Sequence, residues 1–382
     1  NSRIEKSIRD FTMDSHEVVI SNFKNLCEFI DKFLSGEDKV MYVTVSSKLR
    51  KPMRQLPTLY PNLHYFAYGV GLSYSLCLSK EKFTINFVSL THSSKKLFIE
   101  RTGLKIGENI TPEEIELLDP YMGLTRWFEL LSDCLLELGG EKEFKSKHFD
   151  LEKKIWSYLK KKTAKSQFNT LVIEPVTCKY TPNPVIPVKG SNLTIRKNAS
   201  IYYPENNSRY FISVDMKHAN FQVLKMYGII ESTNWSDFMS SYTTIPYFSK
   251  LKKLRLKVLT YHELHSAKQK ICWENLMITI LHKIVEQNII NVENFAISNG
   301  DELIFHTTKD TMKGDLAKMQ EFLATHYASF EFSFKTFQLH FIPPRHYVWF
   351  DPHTNMTTFK CVDYKSICEV VKRWNENVST NF

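Results

Sequence analysis

The residues of this chain with the clearest chemical potential are carboxylates next to apolar strands. In "NFAISNGDELIFHT", residues 294–307, two alternating apolar runs flank Asn299-Gly300, and Asp301 and Glu302 follow the glycine directly. Asn-Gly between such runs predicts a two-residue hairpin turn, because both central residues of a type I′ turn need positive φ. The turn would hold both acids at the start of the return strand, and fixed carboxylate oxygens are the ligands that hard divalent cations bind.

A further acid stands where an apolar strand changes into a helical pattern. In "FISVDMKHANF", residues 211–221, the strand-like run ends at Asp215. A carboxylate at the end of a buried strand is poorly solvated and needs a cation or a donor. Beside the hairpin tip, Asp215 and Asp301 would form the carboxylate pair of a two-metal phosphoryl-transfer site that uses Mg²⁺ or Mn²⁺. Two alternatives stay open: Asp215 as the N-cap of the following helix, and Asp301-Glu302 as plain turn chemistry.

The segment between these acids is basic. Five basic side chains fall within eight residues: Lys250, Lys252, Lys253, Arg255 and Lys257. In a helix, Lys250, Lys253 and Lys257 share one face, which would neutralise the triphosphate of an incoming nucleotide. Tyr261 follows four residues later and would stack on a base or a sugar. The alternative is an ordinary solvated face.

Other polar residues are candidates for contacts with nucleic acid. Lys217 and Asn220, early in the helix after Asp215, would contact a primer or a nucleotide, with a plain surface role as the alternative. Lys160, Lys161 and Lys162 end the basic helix "DLEKKIWSYLKKKTAKS". They suit the negative end of the helix dipole, and they would also grip a phosphate backbone with strong salt dependence.

Composition narrows the class of protein. The chain has 382 residues, enough for two or three domains, and its net charge of +9 suits an anionic partner. GxGxxG, GxxxxGK[ST], HExxH and GxSxG are all missing. Seven dispersed cysteines without CxxC, a charged first segment and the lack of a long apolar run predict an intracellular protein of the cytoplasm or nucleus, in a reducing compartment and with no membrane partner.

The order of a strand ending in Asp, a basic helix and an Asp-Glu hairpin resembles the palm and fingers of family A nucleic-acid polymerases. "VDMKHANFQVL" resembles their motif A, "KLRLKVLTY" a reduced nucleotide-binding finger helix, and "SNGDELIF" their motif C, with Gly300 where a histidine is usual. The "Asp-x-Lys-x-Ala-Asn-Phe" strand and the later Asp-Glu are also similar to an uncharacterised polymerase-like family of large DNA viruses. The resemblance spans roughly residues 205–310. The finger segment is short, and His262 follows Tyr261 in place of the usual glycine.

This resemblance implies a fold and a function. We expect an α/β (α+β) protein in which a mixed N-terminal domain, residues 1–180, precedes a palm-like domain with an antiparallel sheet, residues 190–382, with short fingers at 231–290. The boundary between them lies in the proline-rich stretch 174–191, which holds four of the 14 prolines. The N-terminal domain would clamp nucleic acid as a thumb does, and a protein partner that binds this domain is a further alternative.

The implied reaction is Mg²⁺-dependent addition of nucleotides to a 3′-hydroxyl of DNA or RNA. Asp215 and Asp301 would hold the metal ions and Glu302 would support the primer end. The triphosphate would be bound by Lys253, Arg255 and Lys257. A non-catalytic nucleic-acid-binding factor with a degenerate palm is the alternative from another class, and a metal-dependent nuclease is a third.

Overall fold

The structure is a computed structural model that describes residues 19–50, 52–68, 73–80, 85–185 and 200–381. We number helices and strands in chain order. The described helices are α1 Phe23–Ser35, α2 Leu56–Leu59, α3 His92–Thr102, α4 Pro112–Met122, α5 Leu124–Leu138, α6 Glu141–Lys165, α7 Ala219–Met226, α8 Trp235–Ser240, α9 Pro246–Lys250, α10 Lys252–Leu259, α11 Ser266–Glu286, α12 Met312–His326 and α13 Ile367–Asn381. The described strands are β1 Val40–Ser46, β2 His64–Tyr68, β3 Ser73–Ser79, β4 Tyr210–Met216, β5 Phe295–Ser298, β6 Glu302–Thr307, β7 Phe332–Ile342, β8 His346–Phe350 and β9 Thr357–Lys360.

The strands form two sheets in which all neighbours within a sheet are antiparallel. The smaller sheet has the order β1-β3-β2, and the larger has the order β5-β6-β4-β7-β8-β9. The prediction of an α+β protein, in which helices accompany antiparallel sheets, is confirmed. None of the described helices is long and apolar enough to cross a lipid bilayer.

The chain divides into two compact units whose limits do not follow the proline-rich stretch. The smaller unit takes residues 1–98, 126–149 and 245–247, and the larger takes 99–125, 150–244 and 248–382. Residues 99–125 and 150–180, which the sequence assigned to the N-terminal domain, therefore belong with the larger unit, and residues 245–247 of the predicted palm-like domain belong with the smaller one. All of the predicted site residues lie in that unit. The stretch 186–191 of the predicted connection lies outside the described residues.

The core of the smaller unit joins α1 to the three-stranded sheet. Leu26, Ile30 and Phe33 recur at spacings of four and three, so they share one face of α1. All three are buried in the cluster that includes Val45 of β1 and Leu76 of β3. Burial of each such side chain stabilises a fold by about 1.5–3 kcal/mol.

The larger sheet separates two apolar clusters, because successive side chains of a strand point to opposite faces. On one face, alternate residues of β4 and β6 pack with α11 and α12, and this cluster includes Ile212, Val214 and Leu303. The opposite face carries Phe211 and Trp349 among its buried residues. The alternation places Ser213 and Asp215 on the same face as Phe211, which we call the open face because α11 and α12 cover the other one.

Candidate active site

Asp215 and Glu302 occupy directly paired positions on neighbouring antiparallel strands. Asp215 near the end of β4 faces Glu302 at the start of β6, and the amide of Met216 donates to the carbonyl oxygen of Asp301 at 2.9 Å. Directly opposed residues project from the same side of a sheet. The tip of the hairpin therefore lies beside the end of β4, and three carboxylates from two distant parts of the sequence meet there.

The turn that carries Asp301 differs by one residue from the predicted turn. The amide of Asn299 donates to the carbonyl oxygen of Glu302 at 2.8 Å, so the two residues inside the turn are Gly300 and Asp301. Gly300 has φ 79°, whereas Asn299 is not among the residues with positive φ. A glycine with positive φ at the first central position is the pattern of a type II′ turn. The predicted type I′ turn over Asn299-Gly300 is wrong, and Asp301 sits in the turn itself, ahead of the return strand.

The alternative role of Asp215 as a helix cap is also wrong. Helix α7 begins at Ala219, and its N-cap is His218, whose side chain makes no capping hydrogen bond. Asp215 lies inside β4, and its carboxylate oxygen Oδ2 accepts a hydrogen bond from the Ser333 hydroxyl at 3.2 Å. Capping therefore does not account for this acid.

The surroundings of Asp215 disfavour its negative charge. Burial, together with the charges of Asp301 and Glu302, raises the pKa of Asp215 to about 6, although the hydrogen bond from Ser333 and the charge of Lys335 oppose this shift. Like charges in a partly desolvated site act in this direction on any carboxylate. A raised pKa shows that the ionised form of Asp215 is under-compensated by its neighbours.

Asp301 shows the same behaviour at the hairpin tip. Burial raises its pKa, and the charges of Glu302 and of Glu274 on α11 raise it further. A hydrogen bond from its own backbone amide and the charge of Lys252 oppose the shift. Beside the two aspartates, Glu302 Oε1 accepts a hydrogen bond from the buried hydroxyl of Ser213 on β4.

The carboxylates fit a magnesium site in donor type and in charge. Mg²⁺ is commonly bound by one or two carboxylates together with water and substrate phosphates. Asp215 and Asp301 provide two such groups, and a cation between them would offset the burial and the neighbouring negative charges that raise both pKa values. Within the described ranges, no group of three or more His, Cys, Asp and Glu side chains is arranged to hold a metal ion. A metal at this site would therefore depend on water or substrate oxygens for its remaining ligands.

The basic residues of the predicted finger helix have several different environments. The Nζ atom of Lys257 lies 2.6 Å from Oε2 of Glu152, and Arg101 Nη2 lies 2.8 Å from Oε1 of the same carboxylate. Lys253 is exposed, and its aliphatic part packs on Gly103. Lys250 is exposed as well, but it ends α9, so the predicted helix face shared by Lys250, Lys253 and Lys257 is wrong for Lys250. Among the described residues, none of these three lysines forms an ion pair with the carboxylates of the hairpin and β4.

Arg255 and Lys252 lie on the same short helix, α10, as Lys253 and Lys257. Arg255 is partly buried, and burial lowers its pKa to about 10. The charge of Lys252 acts on Asp301 and opposes the rise in its pKa. The residue of this helix that influences the carboxylates is therefore Lys252, to which the sequence pattern gave no specific role.

The remaining candidates are spread over the larger unit. Tyr261 is 38% exposed, and its ring centroid lies 5.0 Å from that of Trp156. Lys217 is exposed just after β4, and Asn220 is partly buried in the first turn of α7. Their expected contacts with a nucleotide or primer stay predictions.

The three lysines at the end of α6 are at the surface, but two of them have acidic partners. Lys160 Nζ lies 3.6 Å from Glu263, and Lys162 Nζ lies 2.7 Å from Glu231. Lys161 is exposed. Surface ion pairs of this kind contribute little to stability and exchange readily for other anions, so these lysines remain candidates for contact with a phosphate backbone.

Sequence reasoning missed a group of lysines next to the carboxylates. We call Lys105, Lys252, Lys335 and Lys360 the lysine cluster. Lys335 on β7 is the register partner of Ser213, and Lys360 on β9 is that of Tyr347 on β8. The charges of Glu302 and of the other three lysines all act on Lys360. The local signals were the basic run that contains Lys252 and the alternation that places Lys335 on the open face.

Comparisons of this chain with protein-family models, with curated proteins and with solved structures found no match.

Proposed function

We propose that this protein is a Mg²⁺-dependent nucleotidyltransferase that adds nucleotides to the 3′-hydroxyl of a nucleic acid. The observation that carries the proposal is the pairing of Asp215 with Glu302, with Asp301 in the adjoining turn. An aspartate near the end of a β-strand, beside a hairpin that carries Asp-Glu, is the arrangement expected of a polymerase palm. Partners under this proposal are nucleoside triphosphates and DNA or RNA.

The roles of the acids follow from their surroundings. Asp215 and Asp301 would hold the metal, which when bound would neutralise charge on the transferring phosphoryl group and on the oxygens that attack and leave. Both aspartates stand on backbone that is hydrogen-bonded to a neighbouring strand, so their positions are fixed before substrate arrives. Glu302 is oriented by the Ser213 hydroxyl and would support the primer end.

Two general properties support the same proposal. The net charge of +9 favours association with polyanions. All seven cysteines lie in described parts of the chain, where each is a free thiol, which suits the reducing intracellular compartment that we propose as its location.

A primer-extension assay tests the proposal. The wild-type chain is incubated with a labelled primer, with and without a template, with ribo- and deoxyribonucleotides, and with Mg²⁺ or Mn²⁺. We expect extension by the wild type and its loss in Asp215→Asn and in Asp301→Asn, with nucleic-acid affinity largely kept. Asp310→Asn, which changes an exposed acid just before α12, is the matched control and should extend normally.

The same assay identifies the competing functions. If the wild type binds the primer but extends none under any of these conditions, the non-catalytic binding factor is the better description. Shortening of the labelled strand without added nucleotides would instead indicate a nuclease.

A further inference from the structure

The lysine cluster is drawn from four separate segments of the larger unit. Lys105 lies between α3 and α4, Lys252 begins α10, and Lys335 and Lys360 belong to β7 and β9. Lys105 Nζ donates a hydrogen bond to the carbonyl oxygen of Phe359 at 3.4 Å. This bond holds the loop that carries Lys105 against β9. Segments that are far apart in the sequence thus bring their ammonium groups close enough for the charges of Lys105, Lys252 and Lys335 to act on Lys360.

An aromatic ring places two of these ammonium groups. Lys360 Nζ lies 3.6 Å from the ring centroid of Trp349, and Lys335 Nζ lies 5.9 Å from the same centroid. Cation–π contacts of this kind hold the ammonium in position and leave its charge uncompensated. Trp349 is buried and stacks on Phe337 with a centroid distance of 3.9 Å, so the platform under the lysines is rigid.

No carboxylate among the described residues forms an ion pair with a lysine of the cluster. In the described part of the chain, none of the four lysines has a carboxylate within the 4.0 Å of a salt bridge. Lys360 is partly buried, whereas Lys105, Lys252 and Lys335 are exposed and accessible to a ligand. Burial lowers the pKa of Lys360, and its lysine neighbours lower it further against the charge of Glu302. A bound anion would compensate all four groups.

We propose that the lysine cluster binds the polyphosphate of a nucleoside triphosphate, on the side of the carboxylates where β7 and β9 lie. This inference rests on the proposed function and names the triphosphate site of that function. A triphosphate concentrates several negative charges on adjoining phosphates, whereas a single nucleic-acid strand carries one charge per nucleotide along its length. Four ammonium groups around one region match the concentrated charge better than the distributed one.

This assignment places the triphosphate site at the lysine cluster, whereas the sequence predicted it on the helix face of Lys253 and Lys257. Lys257 is already bound to Glu152, and Lys253 packs along Gly103. Lys252 is the one member of the basic helix that joins the cluster. The palm strands and the loop at Lys105 supply the other three members.

Isothermal titration calorimetry with inorganic tripolyphosphate, on the full chain without metal, tests the site apart from catalysis. We expect Lys335→Gln and Lys360→Gln each to raise the dissociation constant about tenfold, because each removes one charge-assisted phosphate contact. Lys360→Arg should stay within a few-fold of the wild type. Lys318→Gln, an exposed lysine on α12 behind the sheet, is the matched control and should bind normally. Circular dichroism confirms that each variant is folded.

The possible outcomes separate the site from the function. An unchanged dissociation constant in the folded Lys335→Gln/Lys360→Gln double variant would overturn the inference. The inference would also be overturned if this double variant bound tripolyphosphate as the wild type does but bound a single-stranded oligonucleotide without a 5′-phosphate about tenfold more weakly. Lysine-dependent tripolyphosphate binding in a protein that extends no primer would support the site and reject the polymerase function. Primer extension with an unchanged nucleotide KM in Lys360→Gln would instead reject the site and support the function.

Discussion

Gly300 lies directly against the ring of Trp273: a Cβ atom at position 300 would overlap Trp273 Cζ3 and would come within 2.8 Å of Cη2. Trp273 belongs to α11, so this helix fixes the position of the hairpin tip. The contact explains why a residue with a side chain is not accommodated beside Asp301. The φ of 79° at Gly300 adds a second reason, because L-residues rarely adopt it.

Gly300→Ala should therefore destabilise the protein by about 1–3 kcal/mol through overpacking and positive φ. It should also reduce primer extension, because the turn that carries Asp301 must shift. Denaturant unfolding and the extension assay measure the two effects. Gly314→Ala is the control: it lies in α12 with no atom within 4 Å of its added Cβ, and it should be neutral or slightly stabilising. Equal stability of Gly300→Ala and wild type would contradict the packing of Trp273 on this glycine.

Asp215→Asn should raise the thermal midpoint, and the gain should depend on pH. The pKa of Asp215 is raised from 3.8 to about 6 in the folded protein, so ionisation is costlier in the native state than in the unfolded state. Below pH 4 the carboxyl is protonated in both states and the variant gains nothing. Between pH 4 and 6 the wild type loses stability relative to the variant, and above pH 6 the full difference remains.

Thermal unfolding from pH 4 to pH 8 measures this gain, with Asp310→Asn as the control that should show no such trend. Added Mg²⁺ should raise the midpoint of the wild type at pH 7.5 and have a much smaller effect on Asp215→Asn, because the ion binds the folded site. A difference between variant and wild type that stays constant across this pH range would show that Asp215 is not under-compensated.

Glu152→Gln should destabilise the larger unit by about 3 kcal/mol, since it leaves a buried guanidinium without its counter-charge. The side chains of Arg101 and Glu152 are 12% and 13% exposed, whereas that of Lys257 is 43% exposed. Lys257→Gln should consequently cost less than about 1 kcal/mol. It should also leave the nucleotide KM unchanged, because Lys257 serves the ion pair. Urea unfolding and steady-state kinetics separate these effects, and a large rise in KM for Lys257→Gln would restore its predicted role at the triphosphate.

The triple variant Lys160→Gln/Lys161→Gln/Lys162→Gln tests the basic end of α6. If these lysines bind a phosphate backbone, the affinity of the variant for single strands should fall. The negative slope of log K against log salt should also become shallower, by about 0.7 for each phosphate that is no longer neutralised. Fluorescence anisotropy at several salt concentrations measures the slope. Lys309, Lys313 and Lys318, changed together to Gln, provide an equal charge change elsewhere. Matching slopes for the two triple variants would indicate a general charge effect, with no phosphate bound at α6.

The meeting of Asp215 with the hairpin could be predicted because each side has a local signal. An apolar run ending in an acid marks the strand end, and alternating runs around a glycine mark the hairpin. The turn was misplaced by one residue because Asn-Gly is a strong statistical signal, whereas the packing of Trp273 on Gly300 is a tertiary contact that no local pattern reveals.

The cationic side of the site could not be predicted in the same way. Lys105, Lys252, Lys335 and Lys360 come from segments without a shared motif, and only sheet register and loop placement bring them together. Likewise, the spacing of four residues correctly predicted that Lys253 and Lys257 share one face of a helix. It did not show that Glu152 would bind Lys257. Local patterns specify elements, whereas partners across elements depend on tertiary packing.

The position of β4 has a consequence for how the protein accommodates ligands. This strand is hydrogen-bonded to β6 on one side and to β7 on the other, whereas β9 is an edge strand of the same sheet. The amide protons of β4 should be among the slowest in the larger unit to exchange with deuterium. Asp215 therefore stands on the most protected backbone of this sheet, and we expect its position to change little when a ligand binds.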